Sequence, residues 1–230
     1  MSAPALKKKL EELLKERRLR SEAPPLHGER QTSPLASGIG PIDGLVNGGI
    51  PRGQLSEIHG PSSSGRTGIA LSLVARSTVR GALAAWVDPS DRLDPGSAQG
   101  AGVDLERLLW LRGREGALPE ALAATVTLLD AGLFEIVVLD VAGVATRDLR
   151  RLPGATWIRL QRAVAETRAA LLLVAAAHVA TGPCGVRLAL EPARPRWSGS
   201  GPGRLLSGLG GGAVAGRHAT RRAGFELAAL

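Results

Sequence analysis

Apolar and polar positions alternate in blocks along this chain, and the blocks change period. Near-continuous apolar runs of four or five residues stand at Leu55–His59, Leu83–Val87, Leu108–Leu111, Ile136–Leu139, Leu171–Ala175 and Val186–Leu190. Runs of that length without polar alternation predict strands covered on both faces. Between them, apolar residues recur at helical spacing over Gly65–Thr78, Pro119–Ala131 and Ala155–Arg168. Strand and helix in alternation predict an α/β domain, a doubly wound and mostly parallel sheet, over residues 34–192.

The two ends follow other patterns. Leu6, Leu10, Leu13 and Leu14 share one helical face amid Lys7, Lys8, Lys9, Glu11, Glu12, Lys15, Arg17 and Arg18. They predict an amphipathic helix that packs on its own domain or docks on a partner. A proline-bearing linker completes residues 1–33. Residues 193–230 are rich in Gly, Pro, Ser and Arg, with Gly210-Gly211-Gly212 unbroken. Their composition predicts a flexible segment. Apolar character returns over Ala223–Leu230, which reads as an edge strand.

Composition narrows the classes. At 44% hydrophobic the chain is globular rather than disordered. No apolar run reaches 18 residues, so no membrane span is expected. The charged start lacks an apolar signal core, and a bacterial-type cytoplasm is the expected compartment. Cys184 is the single cysteine, which excludes an internal disulfide and a cysteine metal cluster. No histidine pair has metal-ligand spacing among His27, His59, His178 and His218, so no metal site is expected. His59 reads as packing and His178 as a strand end. Ser62, Ser63 and Ser64 read as loop residues with no triad partner.

The net charge is +8. Arg194, Arg196, Arg204, Arg217, Arg221 and Arg222 fall between Pro192 and Phe225 with no acid among them. They suit weak phosphate contacts to DNA, a partner surface, or solvent. Trp197 and Phe225 are the aromatic groups there, too few for a stacking platform.

The chemistry centres on Gly60-Pro61-Ser62-Ser63-Ser64-Gly65-Arg66-Thr67, between a predicted strand and a predicted helix. That context suits the phosphate-cradling loop G-x-x-x-x-G-K-[ST]. Gly60, Ser64 and Gly65 offer backbone donors, and Thr67 stands where a hydroxyl holds Mg²⁺. Asp140, closing an apolar strand, suits the acid that holds the metal's water shell. Arg66 replaces the lysine, and a planar guanidinium does not fit a pocket shaped for an ammonium. It has two readings: it reaches an anion in the loop, or it turns away to pair with Asp140 or Asp88.

The stretch from Leu35-Ala36-Ser37-Gly38 through Gly48-Gly49-Ile50-Pro51-Arg52-Gly53 to the loop resembles the opening of bacterial RecA recombinases. So do Ala85-Trp86-Val87-Asp88, Leu93-Asp94-Pro95, Gly102-Val103-Asp104 and the Asp140 strand. The resemblance covers roughly residues 34–190 and implies a RecA-like nucleotide-binding core. It also implies departures. Ser90 takes the place of the catalytic glutamate unless Asp91 substitutes, Ser97 that of the adenine-stacking tyrosine, and Ala176-Ala177 that of the γ-phosphate sensor. The two DNA-binding loops are reduced to residues 146–155 and 181–185.

A RecA-like chain with these losses is similar to the ImuA family. That similarity implies a non-catalytic accessory role in SOS-response translesion synthesis. The implied partners are an ImuB-type Y-family polymerase homologue, RecA itself and, indirectly, an error-prone DnaE-type polymerase. On this reading ATP and Mg²⁺ are not expected cofactors, and homo-oligomers remain open. One rival reading is a slow DNA-dependent ATPase using Arg66 and Asp91. Another is a modulator that caps RecA filaments.

Overall fold

The computed structural model describes residues 33–114, 116–216 and 221–228, together with Lys8 and Glu12. The partner-docking candidates Leu6, Leu10, Leu13 and Leu14 lie outside the described residues, as do His27, Arg217 and His218.

Each apolar run becomes a strand within a residue or two of its expected bounds: β1 Leu55–His59, β2 Leu83–Asp88, β3 Leu108–Arg112, β4 Phe134–Asp140, β5 Ala170–Ala175 and β6 Arg187–Leu190. The helical runs become α2 (Arg66–Val79), α4 (Leu118–Ala131) and α6 (Gly154–Ala165). Short helices α1 (Gly40–Leu45), α3 (Pro95–Gly100) and α5 (Thr146–Arg150) also lie between the strands and before them. Prolines near their starts, Pro41 and Pro95, suit the first turns of α1 and α3, where the missing N–H is no loss. The stretch expected as a loop at residues 146–155 thus carries α5 and the start of α6.

The described sheet has nine strands, and β3-β2-β4-β5-β1-β6 run parallel. Two apolar layers sandwich it. Ile58, Trp86, Val138 and Leu172 meet α1 and α2 on one face. Leu139, Leu171 and Leu173 meet α4 and α6 on the other. The doubly wound α/β class is therefore correct.

The expectation of a flexible segment over residues 193–230 is corrected. The chain continues as β7 (Arg194–Ser198), β8 (Leu205–Ala215) and β9 (Arg221–Ala228), all antiparallel neighbours of one another or of β6. The anticipated edge strand is β9, begun two residues earlier than expected. The glycine run lies inside β8 because neighbours crowd it. A Cβ on Gly211 would stand 2.8 Å from the Phe225 ring, and one on Gly212 would stand 2.3 Å from the Glu191 carboxylate. Those glycines provide clearance rather than looseness.

Candidate functional site

β1 ends at His59, and the loop 60–65 turns into α2. Gly65 makes the turn with φ of 88°, a left-handed conformation that a side chain resists. Ser64 is buried, and its hydroxyl has no hydrogen-bond partner. The loop leans on β6, since a Cβ on Gly60 would lie 2.9 Å from the Leu190 backbone oxygen.

Arg66 is not turned away to pair with Asp140 or Asp88. Its Nη1 donates to the carbonyl oxygens of Gly60 at 2.6 Å and Pro61 at 2.5 Å. The guanidinium closes on its own loop, with Nε buried and unpartnered. Burial lowers the Arg66 pKa, and the nearby Asp140 charge works against that. Asp140 is thus an electrostatic neighbour, but it is not ion-paired to Arg66.

The C-terminal ribbon forms a wall beside this loop. The Leu227 Cδ1 would meet a Cβ on Gly65 or on Gly68 at 2.9 Å, and the Phe225 ring approaches Gly65 from the same strand. Between loop and ribbon lies a cavity of about 520 Å³, bordered by Arg66, Thr67, Leu206, Leu209 and Glu226 among others.

Asp140 is buried at the end of β4 and accepts one hydrogen bond, from the Ala142 N–H at 3.0 Å. Burial raises its pKa to about 6; the Asp88 charge adds to the rise, while the Ala142 bond, Arg66 and Arg92 oppose it. The turn after Asp140 packs on the Ser90 turn, since a Cβ on Gly143 would stand 2.6 Å from Ser90 Oγ. Ser90 therefore packs against the turn that follows Asp140.

The two acids that flank Ser90 are committed elsewhere. Asp88 accepts from the backbone N–H groups of Ser90, Arg92 and Leu93, which makes it a turn cap. Asp91 is held by a two-pronged Arg112 at 2.7 and 2.8 Å.

The C-terminal arginines are also partly engaged. Arg196 pairs with Glu226, and Arg222 pairs with Glu191 at 2.9 Å. Arg221 donates to Asn47 and Gly44, and Arg204 lies over the Trp197 ring. Arg194 is exposed on β7. The acids that partner Arg196 and Arg222 stand just outside the acid-free window seen in the sequence.

The profile of the RecA N-terminal domain matches residues 27–150, more than half of the chain. This chain belongs to the RecA family. It is 39% identical over 113 residues to the RecA protein of Lactobacillus delbrueckii subsp. bulgaricus, covering 49% of this chain and 34% of that protein. It is 44% identical over 93 residues to the RecA protein of Symbiobacterium thermophilum, covering 40% and 26%. It is 41% identical over 112 residues to that of Mesorhizobium japonicum, covering 49% and 30%. The chain spans about a third or less of the length of these curated relatives. The matched region of this RecA-family chain holds the loop, Arg66, Ser90 and Asp140; the β5 end and the ribbon lie beyond it. Among the described residues no helix is long and apolar enough to cross a membrane.

One cluster was not visible in the sequence. Glu57, in the strand before the loop, is fully buried and meets His178, 121 residues away, at 2.6 Å. A carboxylate inside an apolar run was the available signal, because a charge is buried only where partners await it.

Proposed function

We propose that this RecA-family chain is a non-catalytic accessory protein of the DNA-damage response, one that assembles or regulates error-prone translesion synthesis. The observation that carries this reading is the Arg66 side chain, hydrogen-bonded to the carbonyls of Gly60 and Pro61. The group that should meet the β/γ-phosphates satisfies the loop's own oxygens instead.

Mg-ATP is a poor fit to the residues present. The P-loop ammonium is replaced by a guanidinium engaged with its own loop, and Leu227 crowds Gly65 and Gly68. A hydroxyl stands at Ser90, and Asp91 is bound to Arg112. No hydrolytic step is therefore assigned to this site, although Thr67 and Asp140 keep their places. Gly60, Ser64, Gly65, Arg66, Thr67 and Asp140 form a nucleotide-type site turned to structural use.

The proposed partner is an ImuB-type Y-family polymerase homologue, with RecA as a second and an error-prone DnaE-type polymerase reached indirectly, in the cytoplasm. The surfaces offered are the N-terminal leucines and the ribbon, where Trp197, Leu205 and Leu206 are exposed. Exposed aromatic and aliphatic groups close to arginines suit a protein partner.

Co-expression with an ImuB-type protein tests this. A complex recovered equally with and without Mg-ATP, and intact in Asp140→Ala, is the expected result. Failure to recover a complex overturns it. ATP turnover by the native chain, stimulated by single-stranded DNA and abolished by Asp140→Ala, would instead establish the slow ATPase.

A further inference from the structure

Glu57 and His59 stand two residues apart on β1 and so share one face of the strand. β5 runs beside β1, with Ala175 opposite His59, and the chain beyond β5 brings in His178. The His59 and His178 ring centroids are 5.7 Å apart. One ligand atom from each of Glu57, His59 and His178 lies within 4.8 Å of the others.

The Glu57 carboxylate is held on two sides. One oxygen accepts from the backbone N–H groups of Val179 at 2.8 Å and Ala180 at 3.2 Å. The other lies 2.6 Å from His178 Nδ1 and 3.4 Å from Arg187 Nε. A hydrogen-bonded His178–Glu57 pair accounts for those two residues. It leaves His59 Nδ1 buried without a partner. Such an orphaned ring nitrogen beside a buried carboxylate and a second imidazole calls for a ligand.

We propose that Glu57, His59 and His178 bind a divalent transition-metal ion of the zinc class. Two imidazoles and one carboxylate are a known donor set for that ion, with a fourth position left to solvent. His178 also borders a surface cavity of about 500 Å³, with Thr181, Gly182 and Arg187. Donors on a tetrahedral ion stand about 3.3–3.5 Å apart, given bonds of about 2.0–2.1 Å. The His178–Glu57 contact must therefore open and the widest separation must close, each by about an ångström. His178 has the room for both, with a side chain 43% exposed at the mouth of the cavity. The backbone N–H groups that grip one oxygen of Glu57 orient its other oxygen as an outer shell does. The Arg187 charge, 3.4 Å from the same Glu57 oxygen, works against a bound cation. The ion would tie β1, at the root of the loop, to the segment that follows β5.

The test uses the full chain, stripped with chelator and titrated with Zn²⁺ by calorimetry. Expected are one ion per chain, a rise in melting temperature in excess Zn²⁺, and an affinity about tenfold or more weaker in His178→Ala. His59→Phe, which keeps a ring in the same space, is expected to weaken binding similarly. The His27→Ala, His218→Ala double variant and Cys184→Ser are expected to bind as the native chain does. Absence of binding up to millimolar Zn²⁺ overturns the proposal. So does an affinity unchanged in His178→Ala, or one lost in the His27, His218 double variant.

Discussion

Arg66 donates a hydrogen bond from Nη1 to the carbonyl oxygen of Gly60, 2.6 Å away and six residues earlier in the same loop. The side chain that the family's motif aims at a phosphate is here part of the loop's own framework. A lysine in its place has one ammonium and no fork with which to hold the Gly60 and Pro61 carbonyls in the same way.

Arg66→Lys is therefore expected to gain Mg-ATP affinity by about tenfold or more over the native chain, a difference of about 1.4 kcal/mol, read by calorimetry. Its hydrolysis is expected to stay at background because Ser90 supplies no carboxylate. Equal affinities in the two proteins would mean that Arg66 does not close the cradle.

Asp140 titrates at about 6 in place of 3.8, chiefly because burial disfavours its charge. A raised carboxyl pKa means that the folded chain binds more protons than the unfolded chain between those two values. Its contribution to stability thus falls as pH rises from about 4 to about 6, and at neutral pH the charge costs ~3 kcal/mol. Asp140→Asn keeps an oxygen for the Ala142 N–H and removes the charge. It is expected to be more stable than the native chain by about 1–3 kcal/mol near neutral pH, with the difference shrinking toward about pH 4. Urea unfolding at several pH values checks this.

Glu135 shows the opposite sign. Burial alone would raise its pKa, but the Arg52 hydrogen bond and the Arg52 and Arg80 charges bring it below 4.5. The contribution of this carboxylate is present above 4.5 and is lost as pH falls through the lower folded value. Arg52 and Glu135 meet at 2.6 Å with side chains only 8% and 10% exposed. Arg52→Ala removes the nearer partner of a buried carboxylate, leaving Arg80 at 3.1 Å, and is expected to cost about 3 kcal/mol in urea unfolding, the low end for a broken buried pair.

Phe225 joins the ribbon to the core. It is 3% exposed and lies against Gly65 in the loop and Gly211 in β8. Phe225→Ala is expected to cost about 3 kcal/mol in chemical unfolding. Amide exchange along β8 and β9 is expected to speed up with it. An unchanged stability would mean that the ribbon is not integral to the fold.

Much of this was legible without coordinates. β1, β2, β4 and β5 are short apolar runs buried on both faces, and such runs announce themselves locally. The phosphate-type loop and the arginine at its lysine position are contiguous in the chain, so both could be read there. β7 and β8 could not. A strand whose glycines make way for Phe225 and Glu191 has the composition of a linker, and its meaning resides in its neighbours.

The sequence by itself determined the α/β core, the RecA-type order of its motifs, and the arginine at the loop's lysine position, because each run or motif is a local stretch of chain. Tertiary structure alone decided where the Arg66 guanidinium goes, that the C-terminal segment is a ribbon against the loop, and that Glu57, His59 and His178 converge. Those outcomes depend on which distant groups compete for the same buried hydrogen bonds and the same space, and only the packing of the finished sheet resolves that competition.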